Sequence, residues 1–155
     1  MNLSLENKVA LVTGASRGIG QAIAMGLAKS GADVVIASRK IADLETVASE
    51  ITKTGRKCLP VATHVGRIEE TNNLVEKVME EFGRIDILVN NAATNPSMAS
   101  AMDIDDRAWD SIMNLNLKGL FFLSQEVART MREKGGGKII NVASIAGITP
   151  DILPV

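Results

Sequence analysis

Val9-Ala10-Leu11-Val12-Thr13-Gly14-Ala15-Ser16-Arg17-Gly18-Ile19-Gly20 is an apolar run broken by a glycine-rich turn, and it leads into the helical pattern of residues 21–29. Such a turn between a strand and a helix leaves backbone N–H groups free at the positive end of the helix, where a pyrophosphate can sit. Gly14 allows the tight turn, Gly18 lets the backbone approach phosphates, and Gly20 permits close helix-to-strand packing. The spacing is G-x-x-x-G-x-G, which is neither G-x-G-x-x-G nor a P-loop, since no Gly-Lys-Ser/Thr follows. Taken alone the turn has two readings, a nucleotide site or a bend that uses glycine for geometry only.

Outward from this stretch, short runs rich in Val and Ile recur at 33–37, 58–62, 85–89 and 138–142 and read, with 9–12, as buried parallel strands. Helical patterns lie between them. In the second, Ile41, Leu44, Val47, Ala48 and Ile51 share one face, while Asp43, Glu45, Glu50 and Lys53 take the other. Gly31, Gly55, Gly83 and Gly135 follow the helical patterns where left-handed stops are wanted. Alternating strands and helices with short connections predict an α/β fold, a Rossmann-type doubly wound parallel sheet of order 3-2-1-4-5 in one domain over 1–155. The longest helical segment, 105–134, carries Trp109, Ile112, Met113, Leu117, Leu120, Phe121, Val127 and Met131. Such a helix can bury one face on the sheet and offer another to a partner subunit.

Composition narrows the function. The chain has 155 residues, 46% of them apolar, and a net charge of -1, enough for one core and without the basic field that nucleic acid or an anionic membrane demands. A single cysteine, Cys58, excludes an internal disulfide framework and a cysteine metal cluster, and it fits a reducing, cytoplasmic setting as a half-buried apolar residue. Residues 1–8 are polar and acidic, and no apolar run approaches the ~20 residues that span a bilayer. Secretion and membrane insertion are therefore not expected.

Thr13-Gly14-x-x-x-Gly18-Ile19-Gly20, Asn90-Asn91-Ala92-Ala93, the Asn116 of Asn-Leu-Lys-Gly and the Ser144 of Asn-Val-Ala-Ser-Ile-Ala-Gly occur in one order along the chain. Together they resemble the short-chain dehydrogenase/reductase family over essentially its whole length. The resemblance implies a nicotinamide dinucleotide, with Gly14, Ser16, Arg17, Gly18, Ile19 and Gly20 at its phosphates. Where the second strand ends, an NAD-preferring site carries a carboxylate for the ribose. This chain has Ser38-Arg39 instead. Arg39 and Arg17 would flank a 2′-phosphate, each charge-assisted contact contributing roughly 1.5–3 kcal/mol, so NADP(H) is preferred and NAD(H) remains possible.

After the third strand the family usually has Asp then Val beside the adenine, whereas this chain has His64-Val65. A backbone contact from Val65 stays available, and His64 has two readings, contact with the adenine or a partly exposed loop residue. Asn91, Ala92 and Ala93 would border the ribose, Ala93 standing where the family usually has glycine, and Asn90 reads as structural.

In the family a ketone is reduced, or an alcohol oxidised, by hydride exchange with the nicotinamide while a tyrosine passes the proton. A lysine one turn on lowers the phenol's pKa. Serine donates a hydrogen bond to the substrate oxygen, a preorganised donor of this kind being worth about 3 kcal/mol of barrier. Asparagine holds a relay water. Ser144 and Asn116 match the serine and the asparagine, whereas the chain has no tyrosine. The family's Tyr-x-x-x-Lys falls about a dozen residues past the serine, at or beyond Val155. The expectation is a parent enzyme, a homo-oligomeric dimer or tetramer acting on a small carbonyl or alcohol, of which this is a truncated and by itself inactive portion lacking the last strands and helices. A natural, non-catalytic NAD(P)(H)-binding short form is the alternative. Truncation would expose the fifth strand and apolar faces, and predicts a weakly stable, association-prone chain. Only Ser144, Ala146, Gly147 and residues 94–99 would touch substrate, so its identity is not legible.

Overall fold

The computed structural model describes residues 4–96 and 102–147. Parallel strands β1 (Val9–Thr13), β2 (Asp33–Ser38), β3 (Cys58–Ala62), β4 (Ile87–Asn90) and β5 (Lys138–Asn141) form one sheet in the order β3-β2-β1-β4-β5. The helices are α1 (Gly18–Lys29), α2 (Ile41–Thr52), α3 (Ile68–Phe82), α4 (Asp106–Met113) and α5 (Leu120–Glu133). This is the predicted α/β doubly wound sheet, in the predicted order.

Strand alternation decides why both faces are covered. Val9 and Leu11 of β1 and Val35 and Ala37 of β2 point to one side, where Leu74, Val75 and Val78 of α3 and Leu123, Val127 and Met131 of α5 close over them. Ala10, Val12, Val34 and Ile36 point to the other, against Ala24 and Ala28 of α1 and Leu44, Val47, Ala48 and Ile51 of α2. Of the apolar face predicted for α2, only Ile41 stays exposed. Pro60 sits in β3 at the sheet edge, where a missing N–H costs no ladder bond. At the opposite edge every residue of β5 is exposed.

One expectation is met and another needs correction. The four glycine stops all have positive φ, but only Gly83 caps its helix directly, while Gly31, Gly55 and Gly135 follow the capping residue by one or two positions. The single helix over 105–134 is instead α4 and α5 joined by a wide π turn, Asn114–Gly119. The extra width turns Asn116 toward the Thr94 backbone and lets Gly119 close on the Val65 carbonyl, with no room for a Cβ. Core positions accordingly fall to Leu115 and Leu123 as well as Val127 and Met131, leaving Trp109, Leu117 and Phe121 exposed.

Candidate functional site

In an open α/β sheet the ligand crevice lies beyond the carboxyl ends of the strands where the strand order reverses. Here that point falls between β1 and β4, and hydrogen bonds zip the two following loops together. Buried Thr13 Oγ1 accepts from the N–H groups of Asn91 at 3.0 Å and Ala92 at 3.1 Å. In return Asn91 Nδ2 donates to the carbonyls of Thr13 at 2.9 Å and Gly14 at 3.1 Å. The Gly14 and Ala15 amides donate to the Ala37 carbonyl at the end of β2, so the turn is fixed against three strands.

Glycine is required at two places in this turn. Gly14 has φ +65°, and a Cβ there would stand 2.9 Å from Ala92 Cα. At Gly20 a Cβ would meet the Gly14 carbonyl oxygen at 2.4 Å and Asn91 Nδ2 at 2.5 Å. Helix α1 therefore begins directly against the turn. Its first turn has neither a side-chain cap nor an acidic residue, so its orphan N–H groups remain available to an anion.

From this turn opens a cleft of about 900 Å³. Every residue expected to hold the cofactor lines it: Gly14, Ser16, Arg17, Gly18, Ile19 and Gly20; Ser38 and Arg39; His64 and Val65; Asn91, Ala92 and Ala93. Residues not anticipated as site residues join them, among them Lys40, Asp43, Thr63, Gly66, Arg67, Ser111 and Asn114, and so does Thr94 of the expected substrate mouth. Arg17, Arg39 and Lys40 form no ion pair with any described residue, so their charge is directed to solvent and cleft. Donors at a bare helix end beside unpaired cations suit a phosphate-bearing ligand.

Thr63, His64 and Val65 border the cleft at the β3 end, where His64 is half-buried. Asn90, by contrast, is 2% exposed and turned away, its Nδ2 donating to Ser124 Oγ at 2.8 Å and Asn141 Oδ1 at 2.9 Å. It ties β4 to β5 and α5, the structural role read from sequence.

Asn116 and Ser144 are not among the residues lining the cleft. The Asn116 amide is committed to one backbone unit, Oδ1 accepting from Thr94 N–H at 2.8 Å and Nδ2 donating to its carbonyl at 2.9 Å. Ser144 is exposed past the end of β5, and its carbonyl accepts the Gly147 N–H at 3.1 Å. The remainder of the expected substrate mouth is described only in part: residues 97–99, the Ala146 side chain and the 150–155 ending lie outside the described residues. Cys58 is half-buried, and burial pushes its thiol up to about 12, so it is an inert packing residue. Among the described residues no helix is long and apolar enough to cross a membrane, and no His, Cys, Asp or Glu group is placed to hold a metal ion.

What sequence reading missed are the supports: Thr13 as the acceptor at the zip, Thr94 as the partner of Asn116, and Glu70, whose carboxylate takes the His64 N–H at 2.6 Å. Glu70 alone had a sequence signal, an acid in the first turn of a helix.

Similarity to known proteins extends over nearly the whole chain. Residues 8–153 match the family model described as short chain dehydrogenase. The chain is 43% identical over 143 residues to 2-dehydro-3-deoxy-D-gluconate 5-dehydrogenase of Dickeya dadantii (strain 3937), covering 92% of this chain and 55% of that protein. It is 40% identical over 146 residues to dehydrogenase/reductase SDR family member 4 of Oryctolagus cuniculus, covering 94% of this chain and 56% of that one. Among solved structures, L-sorbose reductase from Gluconobacter frateurii, complexed with NADPH and L-sorbose, matches with a TM-score of 0.92 at 39% identity, over 97% of this chain and 57% of that one. The chain thus spans a little over half the length of these relatives. With its sheet order, its bare glycine turn and a match over nearly all its residues, this chain belongs to the short-chain dehydrogenase family.

Proposed function

We propose that residues 1–155 form one dinucleotide-binding domain that holds NADP(H), and that the protein exchanges hydride between this cofactor and a ketone or secondary alcohol in a cytoplasmic setting. One observation carries the reading: the residues chosen for cofactor contact border a single cleft, and the helix end at its centre is bare. When bound, the nicotinamide supplies or accepts the hydride. The protein's part is to bind and orient.

Gly14 to Gly20 would receive the phosphates, and Arg17 and Arg39, with Lys40 beside them, a 2′-phosphate. Two solved relatives, the L-sorbose reductase complexed with NADPH and a metagenomic short-chain oxidoreductase in complex with NADP, lean the same way. A solved xylitol dehydrogenase at 31% identity is NAD+-bound, so titration with both dinucleotides decides the preference. Ser144 would donate to the substrate oxygen. Asn116 enters as a positioning residue, because its side chain grips the Thr94 backbone at the cleft wall. The outer helical face carrying Trp109, Leu117, Phe121 and Phe122 is where a homo-oligomer would pair.

The 155 residues contain no tyrosine, so by themselves they lack the proton donor that the chemistry needs and should bind without turnover. That absence also favours the second reading, an NAD(P)(H)-binding form with no catalytic duty. Calorimetric titration with NADPH and NADH tests the shared claim. Tighter binding of NADPH by at least tenfold, narrowed by Arg39→Ala, is expected, and binding of neither dinucleotide overturns it. Turnover of carbonyl substrates by a longer form carrying Tyr-x-x-x-Lys separates enzyme from binding form.

A further inference from the structure

Asn90 closes β4, and the end of that strand is bonded to both of its neighbours. Through the next residue, Asn91, it is tied to the Thr13 and Gly14 carbonyls of the glycine turn. Through Asn90 itself it is tied to β5: Nδ2 donates to Asn141 Oδ1 at 2.9 Å, and the Asn90 carbonyl accepts the Val142 N–H at 2.9 Å. The pair Asn90 and Asn141 is the last rung of the β4–β5 ladder, and Ser144 follows three residues later. Two consecutive residues of one strand thus set the serine segment against the turn expected to receive phosphates.

The direction of these bonds is imposed from α5. Ser124 Oγ donates its one proton to the Leu120 carbonyl at 2.7 Å, so toward Asn90 it can only accept. Nδ2 of Asn90 donates to it at 2.8 Å. The carboxamide therefore turns its nitrogen to the helix, and the second Nδ2 proton goes to Asn141 Oδ1. Because Asn90 is 2% exposed, water scarcely competes for either proton. The result is one chain of bonds, from the Leu120 carbonyl through Ser124 and Asn90 to Asn141, that anchors the end of β5 to a helix as well as to a strand.

Resting on the reading of Ser144 given above, we propose that Ser124 and Asn141 are positioning residues, which act through Asn90 to hold Ser144 in register with the cofactor turn. A hydrogen-bond donor lowers a barrier only when it is already aimed at the oxygen that gains charge. A serine just beyond a strand end takes its aim from the last rung beneath it. Neither Ser124 nor Asn141 lines the cleft, so their effect on Ser144 is separable from cofactor binding.

The test is backbone nitrogen relaxation at the Ser144 amide, with calorimetric titration of NADPH, for wild type, Asn141→Val, Asn141→Asp and Asp86→Ala. The Ser144 order parameter should fall from about 0.85 in wild type to below about 0.6 in Asn141→Val, which removes the acceptor and keeps the β propensity. Asn141→Asp retains an acceptor oxygen and should restore it. Asp86→Ala weakens the opposite end of the same strands and should leave Ser144 ordered, which separates aim from general stability. NADPH affinity in Asn141→Val should stay within about twofold of wild type. Equal order in wild type and Asn141→Val overturns the assignment, as does equal loosening by Asp86→Ala or no recovery in Asn141→Asp. Absence of NADPH binding by wild type removes the cofactor reading, while the relaxation data still decide the clamp. Should Asn141→Val fail to fold, Ser124→Ala decides in its place: a loosened Ser144 supports the proposal and an unchanged one overturns it.

Discussion

Strands β1 and β4 are fastened together at both ends, and the two fastenings differ in what they leave free. At the amino end the work falls to Asp86, which is 7% exposed. Its carboxylate accepts from the Val9 amide at 2.9 Å, Arg84 Nε at 2.8 Å and Lys8 Nζ at 3.4 Å. Burial alone would push this carboxyl up, but the bonds from Arg84, Val9 and Lys8 outweigh it and hold it below the usual carboxylate range. At the carboxyl end Thr13 and Asn91 do the same mechanical work with neutral groups. The first fastening is electrically closed. The second leaves the helix end and the arginines uncommitted, which is what an anion-binding cleft requires. Stability and binding should therefore separate at the amino end and move together at the carboxyl end.

The largest effect should come from Gly20→Ala. Its methyl group would land on the Gly14 carbonyl and on Asn91 Nδ2, breaking the zip and displacing the turn that receives phosphate. A loss of about 3 kcal/mol in urea unfolding is expected, together with loss of NADPH binding by calorimetry. Wild-type stability with intact binding would show that the close approach of α1 to the turn is not needed.

Asp86→Ala comes next, and its effect should be confined to stability. Removing the carboxylate leaves the buried Val9 amide without an acceptor and Arg84 and Lys8 without their partner, a cost of about 2 kcal/mol at neutral pH. NADPH affinity in the folded fraction should not change. The pH dependence follows from the depressed folded pKa: the stabilisation is complete above the unfolded value of about 4 and is lost as pH falls through the folded value. Urea melts of wild type and Asp86→Asn should thus differ most above about pH 5 and converge in stronger acid. A gap that widens on acidification would show the carboxyl to be unpaired.

This contrast also marks what a sequence makes legible. The strands were readable because β1 from Val9 to Val12 and β2 from Val34 to Ala37 are apolar at every position, and the phosphate turn because glycine is forced at Gly14 and Gly20. The Asp86 fastening joins residues 77 positions apart through a charge that in sequence resembles any other surface aspartate. The π turn was hidden for a related reason. It goes together with the approach of Gly119 to Val65, a tertiary contact that leaves the helical period of 105–134 intact. The expectation for His64 stayed divided because the bonds from Gly66 and to Glu70 exist only once the loop has folded.

Thr13→Val sharpens the comparison from the binding side. Valine keeps the shape and β propensity but removes the acceptor shared by the Asn91 and Ala92 amides, at a cost of about 1–2 kcal/mol. Because these amides fix the loop bordering the cleft, NADPH affinity should fall with stability, by about threefold to tenfold. An unchanged dissociation constant would mean that the cleft tolerates a loosened zip.

The smallest effect distinguishes one helix end from another. Helices α1 and α4 both begin at the carboxyl edge of the sheet, but α4 is closed by its own chain: the Asp105 side chain accepts from the Ala108 N–H at 2.7 Å. Helix α1 has no such cap and begins at glycines. If the bare end of α1 is kept for phosphate, then Asp105→Ala should cost about 1 kcal/mol in thermal or urea unfolding, the ordinary loss of a capping residue, and leave NADPH affinity unchanged. Were removal of the α4 cap to weaken NADPH binding tenfold, the positive end of α1 would no longer account for the anion by itself, and the amino end of α4 would have to be counted as part of the cleft's field.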